Sequence, residues 1–150
     1  TMTIRLEDKT SRLFLLEVIS CGRNAHEERF QYRRFSSRVR IYRGEKLIYQ
    51  DNTCYEPEKM PMEGIGMYEG YTHMANLFLS EIYTGQDSTD KEINLELQEK
   101  IWQLLDEEPD TDGGVTRLTT GDLVLRIFAH RAQTLQQLAD KIKKLYEAIY

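Results

Sequence analysis

A chain of 150 residues, 30% charged and 40% apolar, is long enough to form one domain around a core of its own and has the composition of a globular rather than a disordered protein. No stretch approaches the roughly 20 apolar residues of a membrane-spanning helix, and the opening TMTIRLEDKT lacks the apolar centre of a secretory signal. The net charge of −5 is uneven, with 3 Lys or Arg against 16 Asp or Glu in residues 51–112 and a basic excess in residues 1–50 (11 against 6) and 113–150 (6 against 3). That pattern lacks the continuous basic face of a general nucleic-acid binder.

The first half reads as strands. Arg12–Ser20, RLFLLEVIS, is a short run of Leu, Phe, Val and Ile, as in a buried strand. From Phe35 the residues alternate, with Phe35, Val39 and Ile41 on one side and Ser36, Arg38, Arg40 and Tyr42 on the other, which marks a sheet with one wet face. Arg43-Gly44-Glu45 supplies a tight turn and Lys46–Gln50 the returning strand. A loop with Pro57, Pro61, Gly64 and Gly66 follows. Met67–Tyr83 then reads as extended, with Ala75, Leu77 and Leu79 on one face and Met74 and Phe78 on the other, so both faces are covered.

The second half reads as two helices around a strand pair. Ile93, Leu97, Ile101, Leu104 and Leu105 form a helical stripe, with a capping box of Thr89 and Glu92, or Asp90, at its start. The acidic EEPDTDGG at 107–114 ends that helix. Gly114–Leu118 and Asp122–Phe128 flank a turn at Thr120-Gly121. A last helix, Thr134–Tyr150, lines up Leu135, Leu138, Ala139, Ile142, Leu145, Tyr146 and Ile149, with its lysines in the half that favours cations. That stripe docks on its own sheet or, left uncovered, offers a partner surface. The expected fold is α+β, mainly β, in a single domain over residues 1–150.

Chemistry is sparse. The three histidines, His26, His73 and His130, lie in no nucleophile motif, and neither a Walker loop nor a dinucleotide fingerprint is present. Two cysteines are too few for a disulfide framework and fit reduced thiols in a cytoplasm. Cys21, His26, Cys54 and His73 have the ligand chemistry for nickel or zinc, without the close spacing that identifies a metal site. Arg23, Glu27, Glu28, Arg29, Arg33, Arg34, Arg38 and Arg40 crowd into one segment, either as a solvated sheet face or as a polar surface or channel used with a partner.

The segment GRNAHEERF, Gly22–Phe30, resembles the motif of the UreD (UreH) urease accessory family at Gly22, Arg23, Ala25, Glu28 and Phe30, with Glu27 where that family usually has glycine. RRFSSRVRIYR, LIYQD, GYTHMANLFL and GVTRLTTGDLVLRIF are similar to later segments of the same family, in the same order. The resemblance covers nearly all of this chain and the C-terminal half of a usual UreD protein, so the chain is either a fragment or a natural short form. It implies a β-sheet scaffold with two amphipathic helices in the second half, no enzymatic activity, and work in the cytoplasm with UreF, UreG and apo-urease while nickel passes as transient cargo. It implies Glu28 and Asp51 as polar-channel carboxylates and Arg23 as a structural partner. Cys21, His26 and His73 are the candidates for metal contact, and strand edges left open invite a homodimer. The alternative is a β-rich protein-binding module with no urease role.

Overall fold

The computed structural model describes residues 1–22 and 28–149. Its strands are β1 (Met2–Leu6), β2 (Phe14–Ser20), β3 (Phe35–Arg43), β4 (Lys46–Tyr55), β5 (His73–Leu79), β6 (Thr111–Arg117) and β7 (Leu123–Ala129). Helix α1 (Asp87–Glu107) lies between β5 and β6, and α2 (Ala132–Glu147) follows β7. This is an α+β fold dominated by strands. The residues divide into two compact units, one of Thr1–Ser11 with Cys21–Gly70, the other of Arg12–Ser20 with Tyr71–Tyr150.

The first unit is a three-stranded sheet in the order β1-β3-β4, with β1 parallel to β3 and β3 antiparallel to β4. The expected alternation along β3 is observed, with Val39 and Ile41 buried between exposed or half-buried neighbours. Gly44, at φ 58°, takes the first position of the two-residue turn into β4, a conformation that costs glycine nothing. β4 runs to Tyr55, five residues beyond the expected end, because its far half pairs with the far half of β3 as far as Phe35↔Tyr55. The sequence reading had no strand in the first ten residues. Met2, Ile4 and Leu6 in fact alternate with Thr3 and Arg5, and parallel pairing beside β3 gives the short run its strand geometry.

The second unit is an antiparallel sheet in the order β2-β5-β7-β6, packed against both helices. Leu77, Leu79, Leu125 and Ile127 from the central strands meet Leu97 and Ile101 of α1 and Leu135, Leu138 and Ile142 of α2 in one buried cluster. β5 is buried on both faces, as its unbroken apolar run implies, but it begins at His73, because residues 57–70 are turns rather than extended chain. The stripe of α2 docks on its own sheet.

Two helix and strand boundaries differ from expectation for a physical reason. Neither Thr89 nor Asp90 caps α1, whose N-cap is Gln86 with no side-chain hydrogen bond. Asp90 instead reaches back to accept the backbone N–H and hydroxyl of Thr84. Asn94, one turn on, donates to the carbonyls of Ile82 and Asp90 and accepts the Ile82 N–H. The helix entry is therefore fixed by tertiary hydrogen bonds to the segment before it rather than by a local cap. At the other end Asp110 turns the chain at φ 57°, so β6 starts at Thr111 rather than Gly114, each residue from Thr111 to Gly113 pairing with β7.

Candidate functional site

The loop that carries the family motif is pinched shut at its base. The Phe30 N–H donates to the Cys21 carbonyl across 2.6 Å. Gly22 lies at φ 123°, and a Cβ there would collide with the backbone oxygen of Glu28, so the closure requires glycine at 22. Phe30 itself takes φ 53°, unusual for a bulky side chain and a mark of a conformation imposed by its surroundings. Those surroundings are aromatic: its ring meets Tyr68 edge-on at 4.9 Å and Tyr32 at 6.4 Å, and the set continues through Phe35, Tyr55 and Tyr68. Arg29 ties this loop to the next, pairing with Glu63 at 2.7 Å and donating to the Gly70 carbonyl at 3.1 Å.

Burial dominates the chemistry here. The Cys21 side chain is fully buried and its thiol is pushed up, mainly by desolvation, with Arg29 opposing. A thiol held in its neutral form is a poor nucleophile and a poor metal ligand. Burial, reinforced by Tyr55, pushes the Tyr32 hydroxyl up to about 12 and that of Tyr68 higher still. This aromatic cluster escaped the sequence reading, because its members come from loop, strand and loop with no shared period. Glu28 is half-buried and its backbone oxygen faces Gly22. Asp51 lies on β4 directly opposite the buried Val39, half-buried on the core side of its sheet, and accepts the Thr53 hydroxyl at 2.9 Å. A carboxylate on that face is uncommon without a hydrogen-bond partner, and Thr53 is one such partner. Arg23 and His26 lie outside the described residues.

His73 belongs to the second unit, in the first position of β5. Thr72 Oγ1 donates its one proton to the His130 carbonyl at 2.8 Å, so at its 2.7 Å contact with His73 it accepts from Nδ1–H. Nε2 is then the unprotonated nitrogen of the neutral ring, and burial keeps the ring neutral by lowering its pKa. The ring is thus configured as a metal-binding imidazole is, with its second nitrogen fixed by a hydrogen bond. Cys21 and Asp51 lie in one unit and His73 in the other. Among the described residues no three His, Cys, Asp or Glu side chains gather as a metal group, and Cys21 and Cys54 are both free thiols. No helix of the described residues is long and apolar enough to cross a membrane.

The family model described as UreD urease accessory protein matches residues 1–150. The chain belongs to the UreD family. Among its relatives, the urease accessory protein UreH of Helicobacter acinonychis is 33% identical over 136 residues, which is 91% of this chain and 47% of that protein. The urease accessory protein UreD of Haemophilus influenzae (strain PittGG) is 30% identical over 147 residues, 95% of this chain and 52% of that protein. The UreD of Acetivibrio thermocellus is 28% identical over 142 residues, 94% and 50% respectively. The chain therefore spans about half the length of the curated relatives it matches. The relatives carry the names of accessory proteins, not of enzymes, and the family match removes the alternative of a module unrelated to them.

Proposed function

We propose that this UreD chain is a non-catalytic scaffold of urease maturation, which works with UreF and UreG on apo-urease in the cytoplasm while nickel is delivered. Membership of the family over the full span of residues 1–150 is the observation that carries this reading. The chemistry of the site supports it. The most nucleophile-like side chain, Cys21, is buried and its thiol raised, whereas Asp51 sets a carboxylate on the inner face of a sheet, a placement suited to a polar path for a passing cation. In this reading nickel is cargo, Glu28 and Asp51 of the first unit are carboxylate contacts with Arg23 a structural partner, and His73 Nε2 of the second unit is a separate nitrogen contact. His26 is a further candidate contact, and Cys21, its thiol buried and raised, is the weakest of the set. The outermost strands of the two sheets, β1, β4, β2 and β6, are the edges through which two copies would pair.

Size-exclusion chromatography of the protein mixed with purified UreF and apo-urease tests the reading. Co-elution with either supports it. Elution of all components apart, for this chain and for a longer form of it with the remainder of a full-length relative restored, would overturn it.

A further inference from the structure

The outer face of the three-stranded sheet carries charge that the scaffold reading leaves without a role. Arg38 and Arg40 alternate with the buried Val39 and Ile41 along β3, so they stand on the face turned away from the unit's core. The strand register sets Arg38 beside Asn52, Arg40 between Thr3 and Gln50, and Arg5 beside Tyr42. No acidic side chain shares that face in the sheet: the one carboxylate of β4, Asp51, is opposite Val39 and lies on the inner side.

Two of the three guanidinium groups are positioned by neutral partners. Arg40 Nε donates to Gln50 Oε1 at 3.2 Å, and Arg5 stacks over the Tyr42 ring at 4.5 Å. The ion pairs described for this unit, Arg29 with Glu63 and Lys59 with Glu56, lie in its loops and involve none of the three. The unit as a whole is almost neutral, with 11 basic and 10 acidic residues, so the face reflects segregation of charge rather than an excess of it. Arg5 and Arg40, oriented in advance but not neutralised, are arranged to meet an anionic surface, because part of their ordering cost is already met and their charge is still available, and the exposed Arg38 adds a third charge on the same face.

We propose that this face, centred on Arg5, Arg38 and Arg40, docks an acidic surface of a protein partner in the assembly. The proposal rests on the scaffold reading and adds to it the surface and the chemistry of the partner. A protein fits better than a nucleic acid: three guanidiniums on two adjacent strands match a patch of limited extent, and a chain of net charge −5 with 16 carboxylates in residues 51–112 repels a long uniform polyanion.

The test replaces Arg38→Glu and Arg40→Glu together and measures binding to purified UreF and to apo-urease as NaCl rises from about 0.05 to about 0.5 M. A second variant, Lys143→Glu with Lys144→Glu, makes the same change of net charge on α2. The wild type is expected to weaken with salt, and the arginine variant to bind about tenfold or more weakly at low salt, the gap closing at high salt. The lysine variant is expected to bind like the wild type. Should the arginine variant not fold, as judged by circular dichroism, Arg38→Gln with Arg40→Gln is expected to give a smaller loss in the same direction. If the wild type binds and the arginine variant binds as well, or the lysine variant loses as much, this inference is overturned and the scaffold reading stands. If the wild type binds neither partner, the scaffold reading fails and this inference with it. Retention of a DNA duplex that the arginine variant loses, with protein binding unchanged, would assign the face to nucleic acid and overturn the proposal as well.

Discussion

Replacing Gly22 by alanine probes the pinched loop at the point where only glycine fits. At φ 123° an L side chain is strained by about 1–3 kcal/mol whatever the space around it. At position 22 the added Cβ would also meet the Glu28 carbonyl oxygen, which is backbone and can yield only by shifting the chain that positions Phe30. That shift loosens the Phe30–Cys21 hydrogen bond, worth about 1 kcal/mol, and the aromatic packing behind it. The combined loss is about 3 kcal/mol, or a fall of about 6–12 °C in Tm for a protein of this size. Gly66 is the control: it too has a positive φ, 81°, but a Cβ there meets nothing within 4 Å. Gly66→Ala should cost about 1 kcal/mol. Urea and thermal unfolding of both variants decide the matter. Equal losses at the two positions would refute the closed loop.

Three further outcomes follow from buried polar groups. Tyr146 donates to the Ser80 carbonyl at 2.9 Å and shares a 2.6 Å bond with the Ser80 hydroxyl inside the second unit, so Tyr146→Phe should destabilise by about 1–3 kcal/mol in urea unfolding. Hydrogen bonds from Thr84 hold the Asp90 carboxyl below the ordinary carboxylate range. Its stabilising contribution is thus complete above the unfolded-state value near pH 4 and lost as pH falls through the lower folded value. Unfolding midpoints measured from about pH 6 down to about pH 2.5 should fall less for Asp90→Asn than for the wild type. With the Tyr32 hydroxyl raised to about 12 and that of Tyr68 higher, spectrophotometric titration should show fewer than the chain's 9 tyrosines ionising below about pH 11. Ionisation of all of them together near pH 10 would contradict the buried cluster.

The parts of the fold legible in the sequence were those set by a local period. The α2 stripe from Leu135 to Tyr146 and the β3 alternation around Val39 and Ile41 appear in the structure as read. Less legible were features fixed by residues distant in the chain. β2 follows β1 in sequence yet pairs with β5, so two sheets interleave along one chain, and no period reveals that. Asp90 looks like a cap but serves Thr84. The alternation Met2, Ile4, Leu6 that marks β1 is short and bracketed by charge, so it is a weak signal of a strand. At the candidate site, the resemblance pointed to Gly22 and Phe30, and the structure supplies the reason for both: a positive-φ glycine against a backbone oxygen and a strained aromatic in a cluster. Sequence could list ligand-type residues but not their grouping, and Cys21 and His73 fall in different units.

The role proposed for this member of the UreD family is to assist the activation of urease without catalysis of its own. Apo-urease incubated with UreF, UreG, GTP and nickel, with and without this protein, and assayed for urea hydrolysis, tests it most directly. Urease activity is expected to rise when the protein is added, and the protein alone is expected to hydrolyse no urea. Activation that is the same with and without it, both as this chain and as the longer form, would contradict the proposed scaffold role.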